Sequence, residues 1–302
     1  FFEVYFQVEK KFRDVNKVRL LKISLLFITF FSLQLFKFIS LTNIYLIFTL
    51  STLLTLIYSV WRSKVISLHV NISGINLSVL KEKIKIGMPY LMGNFIILLT
   101  VNVDKNFISV FSTKESFAIY GFASIFLIIL KELINSLKSF IFPYLNSTYK
   151  DKREKIYNIL SLYIIFGFSL TIVILPIIKY VILKYYPIYN LSIKLVPILF
   201  VATTFESLTI ILHSNYYQTY NYYKNYLINS AFIGVIIYGI FFTCYALNPN
   251  LSLLNYAYMA LFCGIMRVLF NDIYLRKKMN IRLINSLYMF IPFSALLINF
   301  LI

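Results

Sequence analysis

Apolar runs of 18 or more residues recur along this chain, separated by short polar stretches. A run of that length crosses the roughly 30 Å of hydrocarbon in a bilayer as an α-helix. Eight such helices are predicted at about 23–39, 42–61, 87–109, 116–137, 157–178, 191–212, 226–247 and 251–270. A ninth begins near Leu283, and residues 1–8 have the character of the tail of a preceding one. The runs are continuous rather than alternating and far longer than a barrel strand of about 10 residues, which excludes a transmembrane β-barrel.

Composition sharpens this picture. Of 302 residues 60% are hydrophobic and 13% charged, with a mean hydropathy of +0.80. The charged share is about half that of a soluble domain. The expected fold class is an all-α polytopic membrane protein, a bundle of about eight to nine transmembrane helices. Phe1 opens the chain and Ile302 lies inside an apolar run, so the expectation is a chain truncated at both ends.

The net charge of +18 raises the question of nucleic acid. A nucleic-acid binder gathers its bases on one groove or stripe of a soluble fold. Here they fall in short clusters between apolar runs, the pattern of membrane topology. Of 29 Lys and Arg residues, 22 fall in one set of alternate loops, 6 in the other set, and Lys131 lies within a helix. The positive-inside rule therefore makes loops 9–22, 62–86, 138–156, 213–225 and 267–282 cytoplasmic. The longest of these, 62–86, is thus expected as a cytoplasmic linker between the helices of 1–61 and those of 87–302. Within the linker, Leu77, Leu80 and Ile84 share one helical face against Lys81, Lys83 and Lys85, which predicts a short amphipathic helix lying in the membrane interface.

Chemistry of the soluble-enzyme kind is not legible. Cys244 and Cys263 lie in apolar segments, and His69 and His213 are the only histidines. No group has metal-ligand spacing and no cofactor motif occurs, so neither a metal nor a cofactor is expected, and the cysteines read as buried free thiols. A membrane-embedded glycan polymerase or transferase would need a large outer loop or a DxD motif; the outer loops are short and DxD is absent. Function is expected among the helices, without enzyme chemistry.

The stretch from Lys85 to Ser124 carries a resemblance. Gly87-x-Pro89 opens a predicted helix after a basic loop, Asp104 lies near its outer end, and Glu115, Tyr120-Gly121 and Ala123 open the next. This ordered set resembles the bacterial polysaccharide flippases, the O-antigen or lipid-linked oligosaccharide branch of the multidrug/oligosaccharidyl-lipid/polysaccharide exporter superfamily. Ala118 departs from the family, which often has Gly there. The resemblance implies a 12–14 helix transporter fold of two bundles, and alternating-access flipping of polyprenyl-pyrophosphate-linked oligosaccharide across the inner membrane. It makes this chain a fragment of that fold, with 1–61 as the last part of the N-terminal helical bundle and 87–302 as a C-terminal bundle incomplete at its end. It implies as partners an anionic lipid-linked oligosaccharide, the lipid bilayer, and the polysaccharide polymerase and chain-length machinery, and no nucleic acid. A drug or metabolite exporter of the same fold is the alternative.

Several ionisable residues stand where lipid would reject them. On a helical wheel Asn94, Asn102 and Lys105 can form one polar face, while Asp104 points about 100° away, toward a neighbouring helix. Lys131, Asn135 and Lys138 form an i, i+4, i+7 stripe on the following helix. Positive lining in a low-dielectric cavity suits an anionic lipid head, which assigns substrate binding to Asn94, Asn102, Lys105, Lys131 and Asn135. Snorkelling to the interface is the other reading of both lysines. Glu206 lies near the middle of its helix, with Thr203 and Thr209 near the same face. With Asp104 it is assigned to coupling or gating. His213 and the tyrosine-rich run to Tyr226 read as an interfacial belt, and Pro176, Pro197 and Pro292 as kinks within spans.

Overall fold

The computed structural model describes residues 40–63, 77–148 and 150–279, with scattered positions between 14 and 29 and Pro292. All regular structure among the described residues is helical. Among the described residues six helices are long and apolar enough to cross a membrane, or seven if one bent pair counts as a span. The protein is an all-α polytopic membrane protein. The predicted spans at 23–39 and beyond Leu283, the tail at residues 1–8 and most of the linker lie wholly or largely outside the described residues.

The chain divides into two compact units, Phe1–Leu80 and Lys81–Ile302. In the first unit α1, Leu41–Ser63, buries Ser51, Thr55 and Ser59 at successive i+4 positions. Their hydroxyls donate to the carbonyls of Phe48, Ser51 and Thr55 at 2.9, 2.8 and 2.7 Å. Such back-bonding lets a polar side chain sit in an apolar medium without an unmet donor. At the helix end Arg62 Nε meets Asp14 Oδ1 at 3.0 Å.

The second unit is built from α2 (Leu77–Val101), α3 (Val103–Phe111), α4 (Lys114–Ile125), α5 (Leu127–Ser147) and α6 (Lys150–Leu170). A 3₁₀ turn, Thr171–Ile174, joins α6 to α7 (Leu175–Tyr185), and Pro176 sits in the first turn of α7. Pro has no N–H to give there, so the ladder tightens just before it. Next come α8 (Ser192–Ser207), a π-turn at Leu208–His213, and α9 (Ser214–Thr219), which together make one span. The unit closes with α10 (Tyr223–Leu247) and α11 (Leu253–Met279).

The span Ser192–Thr219 is the central post. Of its most apolar 18-residue stretch 83% is buried, against 44% for the next most buried span. The post packs most extensively on α11, where Gly264 lies against Phe205 and Ala202 with room for a Cβ at ordinary contact distance. At its start the Ser192 hydroxyl donates to the Ile119 carbonyl of α4 at 2.9 Å.

The loops are shorter than the polar residues suggest. Leu77–Lys85 forms no separate interfacial element; it is the first part of α2, which puts Pro89 inside a helix rather than in its first turn. Helix α5 runs on to Ser147 and α6 starts at Lys150, so most of 138–156 is helical. The post continues to Thr219, and only Tyr220–Tyr222 joins it to α10, with Asn221 at φ 58°. Asn tolerates that left-handed turn better than most side chains. Helix α11 likewise continues through Arg267 and Arg276 to Met279. Polar residues were mistaken for helix ends because these helices extend beyond their apolar stretches.

Candidate functional site

A small polar cavity lies within the second unit, and each of its walls follows from a local feature. Between α2 and α3 the helix breaks at Asn102 (φ −108°, ψ 16°). The break restarts the chain at Val103 and puts Asp104 in a first turn, where the helix dipole favours an acid. Asp104 is 5% exposed. Its Oδ2 accepts a 2.5 Å hydrogen bond from the Tyr120 hydroxyl of α4, while Oδ1 is buried without a partner. Lys105 lines the cavity beside it.

Helix α4 adds Ser124, whose hydroxyl returns to the Tyr120 carbonyl at 3.0 Å, and α5 adds Leu127 and Lys131 one turn apart. The post presents Leu199, Ala202, Thr203 and Glu206, the i, i+3, i+4, i+7 stripe of one helical face. Glu206 Oε2 is buried with no partner. Ala260 of α11 completes the wall. Two turns further on, Arg267 is 3% exposed, with its Nε buried and unpartnered. Glu206 feels the charges of Lys131, Arg267, Asp104 and Lys105.

The cluster thus holds three bases and two acids, one formal positive charge in excess, and no ion pair within 4.0 Å joins them among the described residues. Charges in a bilayer interior are expensive and ordinarily pair directly or face a wet space. Here two carboxylate oxygens and a guanidinium nitrogen remain unmet. The cavity has room for roughly one water molecule. Among the described residues no group of acids, cysteines and histidines has the arrangement of a metal site.

The structure brings Asp104, Lys105, Lys131 and Glu206 of the expected residues together. The other three lie elsewhere. Asn94 accepts from the Tyr226 hydroxyl at 3.0 Å and donates to its own helix at the Tyr90 carbonyl. Asn102 donates to the Leu98 carbonyl. Lys105 lines the cavity without Asn94 or Asn102, and the helix that was expected to carry all three is broken at Asn102. Asn135 is exposed on α5, away from the cavity.

Two further expectations are corrected. Tyr220, Tyr222 and Tyr223 of the tyrosine run are half-buried, whereas His213 is 1% exposed and Tyr216, Tyr217 and Tyr226 are at most 1% exposed, so these last four belong to the core. Their hydroxyls are satisfied inside: Tyr216 donates to the Arg153 carbonyl at 2.6 Å, and Tyr217 accepts from Asn229 at 3.0 Å. Arg267 is the residue that sequence reasoning missed, since its nearness to Arg276, Lys277 and Lys278 assigned it to a basic loop. A signal was present: it sits in the apolar run LFCGIMRVLF, seven residues after Ala260.

Fold and site define a multi-span helical membrane protein with a charged interior cavity. Comparison with protein-family models, with curated proteins and with solved structures gives no match.

Proposed function

We propose that this protein is a transporter that moves an anionic, lipid-linked oligosaccharide across a bacterial inner membrane for surface polysaccharide synthesis. The observation that carries the reading is the convergence of Lys105, Lys131, Asp104 and Glu206 on one cavity inside a bundle of spanning helices. A protein that only filled or braced the membrane would gain nothing from buried charges that do not pair. In this reading Lys105 and Lys131, backed by Arg267, attract the pyrophosphate, and Asp104 and Glu206 keep the empty site from holding a bare surplus of three positive charges.

The substrate class rests on the resemblance of residues 85–124 to polysaccharide flippases. A cavity with room for one water admits no sugar. Transport of a glycan therefore requires a second arrangement of the helices, as alternating access supplies. The small volume also favours a second reading, a drug or metabolite exporter of the same fold.

One assay separates the two. Purified protein is reconstituted in liposomes holding a fluorescent polyprenyl-pyrophosphate oligosaccharide, and leaflet exchange is followed by quenching; parallel liposomes are loaded with a small cationic dye. Exchange of the lipid-linked sugar above the protein-free rate supports the flippase reading. Dye efflux without sugar exchange replaces it with the exporter.

A further inference from the structure

Beyond the charged cavity, at the end of the second unit where α6 starts and α11 finishes, lies a separate polar network. Asp272 of α11 accepts from Arg276 Nε at 2.6 Å with Oδ2, and from the Tyr157 hydroxyl of α6 at 2.7 Å with Oδ1. Arg276 Nη1 donates to Asn158 Oδ1 at 2.8 Å, and its guanidinium stands 5.1 Å over the Tyr157 ring. Tyr157 in turn meets Tyr216 of α9 edge-on at 4.9 Å. Within α11 the Arg276–Asp272 ion pair has side chains 4% and 15% exposed. Its hydrogen bonds to Tyr157 and Asn158 tie α11 to α6, which the Tyr157–Tyr216 ring contact joins to α9.

Two of the tied elements also build the cavity. The post carries Glu206, then the π-turn, then Tyr216. Helix α11 carries Ala260 and Arg267, then Asp272 and Arg276, the last about 13 Å beyond Arg267 at 1.5 Å per residue. The π-turn lies between the two polar layers, and such turns interrupt the regular ladder where a helix can change its course. A buried network of this kind is held together or lost as a unit, because each group depends on the others to replace water.

We propose that the Tyr157–Asp272–Arg276–Asn158 network is a gate that shuts one end of the charged cavity, and that parting α6 from α11 there opens the cavity to that side. The proposal rests on the transport reading. Its test is read without any substrate, so the two can fail separately.

Thr203 on the cavity wall is replaced by Cys in a Cys244→Ser/Cys263→Ala background. Its labelling by a membrane-impermeant maleimide is timed from each face of oriented vesicles. Asp272→Asn/Arg276→Gln is expected to speed labelling at least 10-fold from one face and leave the other unchanged. Tyr157→Phe, which keeps the ring and removes one hydrogen bond, is expected to give a smaller one-sided gain of about 3-fold and guards against misfolding of the double variant. Unchanged labelling in both variants, or an equal rise from both faces in Tyr157→Phe, overturns the gate. One-sided labelling together with no movement of sugar or dye keeps the gate and removes the transport reading.

Discussion

The Tyr120 hydroxyl donates to Asp104 across the α3–α4 packing at 2.5 Å, and both residues are buried, at 0% and 5% exposure. This one bond holds the first acid of the cavity in place. Tyr120→Phe leaves both carboxylate oxygens without a partner, a loss worth about 1–3 kcal/mol for a buried group. Thermal unfolding in detergent should show a lower Tm for Tyr120→Phe. Asp104→Asn combined with it should cost less than the sum of the two single changes, because the pair acts together.

Gly93 faces Tyr226 so closely that an added Cβ would fall 2.5 and 2.8 Å from two ring atoms. Gly93→Ala should destabilise by about 1–3 kcal/mol through overpacking. At Gly239 a Cβ meets nothing within 4 Å, so Gly239→Ala should be neutral or stabilising by up to about 1 kcal/mol, as helix propensity allows. The same unfolding assay checks both, and equal Tm values for the two variants would contradict the close α2–α10 contact.

Arg267 lends charge to Glu206 without touching it. Arg267→Met removes that compensation and should lower stability; Arg267→Met/Glu206→Gln removes the need for it. The double variant should be more stable than additivity predicts, by about 0.5–3 kcal/mol. Strict additivity would show that the two charges do not sense each other.

Much of this fold was legible because hydrophobic length is a strong signal in lipid: each predicted run from residue 42 to residue 270 falls on described helical segments, although 87–109 is divided between α2 and α3 at Asn102. The link from Asp104 to a neighbouring helix was legible for the same reason, since a buried acid must find a partner. What failed depended on exact backbone phase. The break at Asn102 parts α2 from α3 within the predicted span 87–109, and a π-turn with six more helical residues, fewer than two turns, carries His213, Tyr216 and Tyr217 into the core. Neither break has a Gly or Pro to announce it. Arg267 was hidden by its basic neighbours, although only the last turn of α11 carries them.

The most direct measurement compares transport by variants on and off the cavity, in the same liposomes and at equal protein incorporation. Lys105→Ala/Lys131→Ala and Glu206→Gln are expected to cut exchange of the lipid-linked sugar at least 10-fold. Asn135→Ala, exposed on the same helix as Lys131, should leave it unchanged. Equal rates in all four proteins, wild type included, would contradict a working role for the charged cavity.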